Sequence, residues 1–148
     1  MQKIKILQIV DSLNSGGMEN IMVQVCNHLD LAKFSVTICC LSSSGPFAQR
    51  LRPEVSVVDL EKPPGFSLGT VRALRRLLKK ENFDLIHTHH LGGLIYAALS
   101  RPILCRRRPR IVHSEHIILY KHELERRRIW QRKLLYPLTS CVFTVSEQ

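Results

Sequence analysis

Short apolar segments alternate along the chain with longer amphipathic ones. The first apolar run, "IKILQIV" (Ile4 to Val10), is rich in β-branched residues and is typical of a buried strand. The next segment, "MENIMVQVCNHLD", places Ile21, Val25 and Leu29 at helical spacing. Further strand-like runs are "SVTICCL" (Ser35 to Leu41) and "VSVVDL" (Val55 to Leu60), with a small turn or helix at "PFAQRL" between them.

The second half of the chain continues this alternation. After the breaker "KPPG", the segment "SLGTVRALRRLLKKE" puts Leu68, Val71, Leu74 and Leu78 on one helix face and its cations on the other. Then "DLIHTHH", "GGLIYAALSRPIL", "RIVHSEH", a basic helix ending near Leu135, and "CVFTVSE" continue strand, helix, strand, helix, strand. Near-continuous apolar strands separated by helices indicate an α/β fold, with a doubly wound, mostly parallel, Rossmann-like sheet. No internal repeat or long linker is visible, so we predict one domain over residues 1–148.

Composition agrees with one soluble globular unit. The chain has no run of about 18 apolar residues, and Asp11 and Asn14 interrupt its apolar N-terminus too early for a signal peptide. We therefore expect a cytoplasmic protein. The cysteines are odd in number, irregularly spaced and set beside apolar residues, which predicts buried reduced thiols rather than disulfides or metal ligands. They are Cys26, Cys39, Cys40, Cys105 and Cys141.

The formal charge of +10 is concentrated near the C-terminal end. From Arg101 onward eleven Lys or Arg face four Glu, a balance of +7. The runs "RRRPR" (Arg106 to Arg110) and "KHELERRRIWQRK" supply most of it, as a solvated surface or as a site for phosphates or an anionic membrane. Nucleic acid is not expected, because there is no zinc-finger spacing and no aromatic-rich binding sheet. The predicted anionic-surface residues are Arg126, Arg127, Arg128, Trp130, Arg132 and Lys133.

Polar residues follow several predicted strands directly. Ligands of such sheets bind beyond the carboxyl ends of the strands. Four groups stand there: residues 11–20, 87–90 ("HTHH"), 113–116 ("HSEH") and 146–147. We expect all four to meet at one rim of the sheet.

Gly16 and Gly17 separate the first strand from its helix. Either they form a tight turn that needs positive φ, or they open the backbone at a helix N-terminus where N–H groups meet an anion. The pair lacks the spacing of a dinucleotide fingerprint, and no Walker loop occurs. Glu19 lies in the first helical turn, where its carboxylate interacts favourably with the N-terminal end of the helix dipole or forms a hydrogen bond with the nearby backbone.

Five of the seven histidines lie in the two strand-end clusters. Alternation sends His87 and His89 to one face, and His113 with Glu115 to one face of the next strand. A zinc site is conceivable, but the spacing is not typical of one, and we predict no metal. We expect structural roles for His87 and His113, whereas His116, at the strand exit, is the best catalytic candidate.

The ordered series "LNSGGMEN", "DLIHTHH", "IVHSEH" and "VFTVSEQ" resembles the N-terminal domain of the retaining glycosyltransferases of family 4, with the GT-B fold. The first and third motifs look similar to those of bacterial sugar transferases of exopolysaccharide or lipopolysaccharide assembly. The resemblance implies the N-terminal half of a GT-B fold, which shapes the acceptor side, while a C-terminal domain holds most nucleotide-sugar contacts. The chain stops at Gln148, so we expect that donor-binding domain to be missing and the isolated chain to be inactive.

The resemblance also implies roles for individual residues. Gly16 and Gly17 would lie near the donor phosphates, and His116 would contact the transferred sugar or assist the reaction. We assign these residues to the donor-phosphate and acceptor cleft: Ser15, Gly16, Gly17, Glu19, His89 and Ser146.

The expected activity is sugar transfer, of hexosyltransferase type, from a nucleotide sugar to a glycan or lipid-linked acceptor in polysaccharide biosynthesis. No cofactor besides that donor substrate is expected, and the basic surface would hold the protein on the inner face of the cell membrane. Two alternatives come from other classes: a noncatalytic basic binding module of the same fold, and a small zinc hydrolase that uses the histidine clusters.

Overall fold

The computed structural model of the chain describes residues 2–101, 108–116 and 125–144. Its strands are β1 (Ile4–Val10), β2 (Phe34–Cys40), β3 (Ser56–Asp59), β4 (Leu85–His89), β5 (Arg110–Glu115) and β6 (Cys141–Thr144). Its α-helices are α1 (Gly17–His28), α2 (Leu68–Glu81), α3 (His90–Ser100) and α4 (Arg126–Leu135), and the segments Pro46–Arg50 and Tyr136–Leu138 are short 3-10 helices.

These six strands form one parallel sheet in the order β3-β2-β1-β4-β5-β6. The order reverses direction beside β1, as it does in a doubly wound fold, so the predicted fold class is confirmed. The bounds of β1 agree with the prediction, while β2 begins one residue earlier and β3 is shorter at both ends. The carboxyl ends of β1, β4 and β5 therefore lie side by side at the switch point.

Each face of the sheet carries its own apolar layer. On one face, Val10, Val36 and Ile38 of the strands pack with Met22 and Cys26 of α1. The opposite face carries the larger cluster, in which strand residues pack with α2 and α3. Its fully buried members include Leu7, Ile9, Leu74, Ile86, Leu94 and Ile111. Both faces are covered by helices, as the continuous apolar strands required.

The predicted apolar faces of two helices need correction. Ile21 and Val25 are each 45% exposed, and α1 packs through Met22, Val23 and Cys26 instead. Both sets have helical spacing, so periodicity alone did not decide which stripe faces the sheet. Leu68 is also exposed, because it occupies the first position of α2, before the helix meets the core.

The cysteine prediction holds for three thiols and fails for one. Cys26, Cys39 and Cys40 are free and buried, and burial raises the pKa of the Cys26 thiol to about 12. Cys141 is free but exposed, because β6 is the edge strand and has no helix over that side chain among the described residues. Cys105 lies outside the described residues.

Candidate functional site

The register of the sheet brings the polar strand ends into contact. Gln8 pairs with His87, Thr88 with His113, and His89 with Ser114 across neighbouring strands. Paired residues of parallel strands point to the same side, so successive residues of β4 and β5 separate onto two faces. We call the two resulting groups the histidine face and the carboxylate face.

The histidine face consists of Gln8, His87, His89, Ser114 and His116. His89 lies 2.8 Å through Nδ1 from His116 Nε2 and 3.1 Å through Nε2 from Gln8 Oε1. His87 Nε2 lies 2.8 Å from Ser114 Oγ, and its ring centroid is 4.2 Å from that of His89. The structural role predicted for His87 is consistent with this contact, which occupies its outer ring nitrogen.

Burial keeps these imidazoles neutral at physiological pH. It lowers the pKa of His87 to about 4, with further contributions from His116 and His113. It lowers the pKa of His89 to about 2, again aided by neighbouring imidazoles. The pKa of His116 is also lowered, first by burial and then by His90, although Glu115 and Glu19 oppose the shift. The histidine face is thus a set of hydrogen-bonding groups without net charge.

The carboxylate face centres on Glu115. Arg132 Nε and the Tyr136 hydroxyl donate to Glu115 Oε1 at 3.0 and 2.8 Å, and His113 Nε2 lies 3.3 Å from the same oxygen. Burial alone would raise the pKa of Glu115, but its contacts with His113, Arg132 and Tyr136 outweigh burial and lower the pKa to about 2. Thr88 Oγ1 holds His113 Nδ1 at 2.8 Å, as expected of a structural histidine.

Arg132 therefore does not belong to the anionic surface predicted for it. It is 9% exposed and paired with Glu115, so the side chain stabilises the junction of α4 with β5 instead of meeting an external anion. In the sequence, nothing distinguishes Arg132 from the other basic residues of this run. Helical spacing turned one of its members inward, and that position needed the carboxylate of β5 as a partner.

The other predicted surface residues of α4 differ in their surroundings, because some line a cavity and others face the solvent. Arg127 and Arg128 line the cavity described below, whereas Arg126, Trp130 and Lys133 are exposed and do not line it. Trp130 is 64% exposed, and Ile129 and Leu134 are exposed beside it. Of the other predicted residues, Ser146, and Arg106 and Arg107 of the first basic run, lie outside the described residues.

A cavity of about 510 Å³ opens at the carboxyl ends of the strands, beside His89. Lys62, Arg127 and Arg128 give it positive charge, and Asp11 is the acidic residue of its lining. Phe66 and Tyr96 add an aromatic wall, with their ring centroids 5.7 Å apart and stacked. Its remaining lining residues are Leu41, Gly65, His89, His90, Gly92, Gly93, Ile95 and Gln131.

The start of α3 forms one edge of this cavity. His90, the first residue of α3, has φ of +61°, a left-handed conformation that non-glycine residues seldom adopt. The chain turns sharply here from β4 into the helix, and Gly93 passes close to the backbone of Ile9. A Cβ at Gly93 would approach the Ile9 carbonyl oxygen to 3.3 Å, so a small residue allows α3 to lie tightly on the sheet.

The glycine pair adopts an extended and then a helical conformation. Gly16 is the N-cap of α1 with φ of −172°, and Gly17 begins the helix, so neither residue needs positive φ. This removes the tight-turn explanation and leaves the helix N-terminus. The Glu19 carboxylate folds back over Gly16, while the space beside Gly17 is open. Ser15, Gly16, Gly17, Glu19 and His116 do not line the cavity, although the charge of Glu19 acts on His116.

Several site residues were not singled out from the sequence. Lys62, Phe66 and Tyr96 come from segments whose pattern indicated only a breaker and an apolar helix. Gln8 carried a usable signal, because it is the one uncharged polar residue in the run "IKILQIV" and a buried polar side chain needs a partner. Tyr136 carried no such signal in the sequence, because its partner Glu115 is distant along the chain.

Two other kinds of site are absent from the described ranges. No group of three or more His, Cys, Asp or Glu side chains there is arranged to hold a metal ion. Among the helices that the structure describes, none has the length and apolar character needed to cross a membrane.

Comparison with known proteins identifies the class. The sequence matches the family model "Glycosyltransferase Family 4" over residues 15–148. The chain belongs to this family, and it is a glycosyltransferase domain with the GT-B type of Rossmann-like fold, as the resemblance predicted. No curated protein sequence matches it.

Solved structures show the same fold at low sequence identity. Sucrose-phosphate synthase from Thermosynechococcus elongatus superposes with a TM-score of 0.68 at 15% identity, over 95% of this chain and 42% of that one. HepE from Anabaena, in complex with UDP and glucose, gives 0.59 at 21% identity, over 94% and 37%. A UDP-N-acetylglucosamine 2-epimerase gives 0.56 at 13%, over 97% and 42%. The chain thus spans about two fifths of the length of these proteins.

Proposed function

We propose that this chain forms the acceptor side of a glycosyltransferase that moves a sugar from a nucleotide-sugar donor to a glycan or lipid-linked acceptor. The donor contacts would come mainly from a second domain, so the isolated chain is expected to be inactive. Gly16 and Gly17 would meet the donor phosphates across the cleft, and His116 would contact the transferred sugar. HepE, a structural neighbour, holds UDP and glucose, which supports a nucleotide-sugar donor.

The observation that carries this proposal is the charged cavity beside the histidine face. Its cations, Lys62, Arg127 and Arg128, suit a phosphate group, and its aromatic wall suits a sugar ring or an apolar chain. Asp11, also in the lining, can accept hydrogen bonds from sugar hydroxyls. A sugar carried on a lipid phosphate has all three features, which favours a lipid-linked acceptor within the two acceptor classes.

The test uses the whole protein that contains this chain, a panel of UDP and GDP sugars, and a short-chain isoprenoid diphosphate sugar that stays in solution. We expect acceptor-dependent release of nucleoside diphosphate with one donor. Replacing Arg127 and Arg128 by Gln should raise the acceptor KM about tenfold or more, since hydrogen bonds to charged groups contribute about 1.5–3 kcal/mol.

The matched control removes the same charge from the same helix. Arg126→Gln combined with Lys133→Gln alters side chains that are exposed outside the cavity, so the KM should change less than about twofold, as expected of exposed charges. Absence of transfer with every donor would refute the proposed activity. Equal effects of the two double variants would refute the cavity as the acceptor site.

We also propose that the outer face of α4 rests on an anionic membrane surface on the cytoplasmic side. Ile129, Trp130 and Leu134 are exposed there beside Arg126 and Lys133, and a basic helix with apolar and aromatic side chains is typical of interfacial binding. Each basic residue near such a surface contributes about 1 kcal/mol.

Vesicle sedimentation distinguishes binding through this face of α4 from attraction by the net charge of the protein. Arg126→Gln with Lys133→Gln should weaken binding to anionic vesicles about tenfold or more, because two charges of about 1 kcal/mol each are lost. The control, Arg76→Gln with Lys79→Gln, removes two exposed charges from α2 and should have little effect. Similar losses for both pairs would mean that net charge alone drives the association.

A further inference from the structure

Three side chains of the histidine face form a continuous chain of hydrogen bonds. Gln8, in the middle of β1, and His89, at the end of β4, are both buried. Gln8 Oε1 lies 3.1 Å from His89 Nε2, and His89 Nδ1 lies 2.8 Å from His116 Nε2. The rings of His89 and His116 are also stacked, with their centroids 5.1 Å apart, so packing as well as hydrogen bonding holds the two rings together.

The amide oxygen of Gln8 determines the direction of these bonds. An amide oxygen only accepts, so His89 must carry its proton on Nε2. A neutral imidazole has one N–H and one lone pair, which leaves the Nδ1 atom of His89 as an acceptor. His116 must then donate from Nε2, and its own Nδ1 keeps the lone pair.

We propose that Gln8 and His89 are positioning residues that hold His116 in the Nε2–H tautomer, so that His116 Nδ1 accepts a hydrogen bond from a hydroxyl of the bound sugar. The identity of this ligand rests on the proposed function, whereas the tautomer rests only on the three side chains. His116 Nδ1 is buried and has no hydrogen-bond partner among the described residues, so a ligand hydroxyl would supply the partner that it lacks.

This arrangement discriminates between ligand groups. A lone pair on His116 Nδ1 attracts the O–H of a sugar and repels the oxygens of a phosphate, which carry lone pairs themselves. The cations of the cavity have the opposite preference. A sugar hydroxyl is therefore favoured at His116, and an anionic group is favoured at the cations of the cavity.

The surroundings of Gln8, His89 and His116 support these donor and acceptor roles at neutral pH. A protonated His89 would donate from both nitrogens and force His116 Nε2 to accept, which would reverse the tautomer. Burial opposes that state, since it lowers the pKa of His89 to about 2. The charged and titratable groups that act on His116 are His90, His113, Glu115 and Glu19, with His87 coupled to it from the same face.

Nitrogen NMR of the whole protein, labelled with 15N-histidine, measures the tautomer directly. We expect the proton of neutral His116 on Nε2. In Gln8→Leu, which removes the acceptor, the tautomer ratio should shift at least about fivefold toward Nδ1–H, the effect of losing one net hydrogen bond. Thr88→Val is the matched control, because Thr88 lies on the other face and contacts His113.

A wild-type His116 protonated on Nδ1 would overturn the proposal without any variant. So would a Gln8→Leu protein that folds and keeps the wild-type ratio.

Activity tests the ligand hydroxyl. His116→Asn can place an amide oxygen near the position of Nδ1, so it should keep about a tenth of the wild-type kcat/KM, whereas His116→Phe should lose about 100-fold, in the range of one positioned polar group. Equal losses in the two variants would overturn the hydroxyl contact. If no sugar is transferred at all, the proposed function fails and the NMR result still decides the tautomer.

Discussion

The two faces at the ends of β4 and β5 are built from alternate residues of the same strands, yet their chemistry is opposite. The histidine face is neutral and joins His89 to His116 beside an open cavity. The carboxylate face holds a buried ion pair, in which Glu115 binds Arg132 and Tyr136 of the C-terminal segment. The difference shows how the carboxyl ends of the strands support a site. One face presents hydrogen-bonding groups, and the other anchors the helix beside the cavity.

The largest effect should come from breaking the carboxylate face. Arg132→Ala leaves the buried carboxylate of Glu115 without its guanidinium, which typically costs about 3–5 kcal/mol of unfolding free energy. Lys133→Ala, one residue further on the same helix, should cost less than about 0.5 kcal/mol because its side chain is exposed. Urea denaturation of both variants makes the comparison, and similar midpoints would show that the ion pair has no structural role.

Mild acid should act on the histidine face first. The folded pKa values of His87 and His89, about 4 and about 2, lie below the usual 6.5. The unfolded chain therefore binds protons first, so stability is intact above pH 6.5 and falls below it. Each histidine contributes a slope of about 1.4 kcal/mol per pH unit, so His89→Phe should remove up to about 3 kcal/mol of the loss between pH 6.5 and 4.5.

The control for this window is His28→Gln, which replaces an exposed histidine of α1 and leaves the histidine face intact. If His89→Phe has the same pH dependence as the parent protein, His89 is not held neutral by burial.

Stronger acid should then act on the carboxylate face. The folded pKa of Glu115 is about 2, below the usual 4.5, so its contribution is present above pH 4.5 and is lost as the pH falls toward 2. Between pH 4.5 and 3 the parent protein should lose about 2 kcal/mol that Glu115→Gln does not. Stability curves of both proteins over pH 3–7 give the measurement, and parallel curves below pH 4.5 would contradict an ionised Glu115.

The smallest effect on stability is expected at the outer face of α4. Trp130→Ala should change the unfolding free energy by no more than about 0.5 kcal/mol, because the indole is 64% exposed. The same variant should lose affinity for anionic vesicles. A large loss of stability would mean that Trp130 packs against the protein and does not serve as a docking group.

The fold was predictable from the sequence because continuous apolar strands and amphipathic helices allow few arrangements. The rule that ligands bind at the carboxyl ends of strands also led to the expectation that the groups containing His89 and His116 meet at one rim of the sheet, where the two side chains lie 2.8 Å apart. What alternation could not determine was which of two helical stripes faces the sheet, as the exposed Ile21 and Val25 demonstrate.

The residues that were missed depend on contacts across long sequence distances. Arg132 looked like its basic neighbours until β5 supplied Glu115 as its partner. Lys62 and Tyr96 reach one cavity from different connections, and neither segment has a pattern that indicates it. The direction of the hydrogen bonds around His89 requires the position of Gln8, 81 residues away in sequence. These features follow from tertiary packing and have no local sequence signal.

The most direct test of the two-face account compares His116→Phe with Glu115→Gln in the whole protein, through the sugar-transfer turnover per folded molecule and the thermal midpoint of each. These neighbours in sequence belong to opposite faces. The account predicts that His116→Phe loses transfer at a nearly unchanged midpoint, whereas Glu115→Gln lowers the midpoint and retains turnover in the folded fraction. Full turnover in His116→Phe, or loss of turnover without loss of stability in Glu115→Gln, would contradict it.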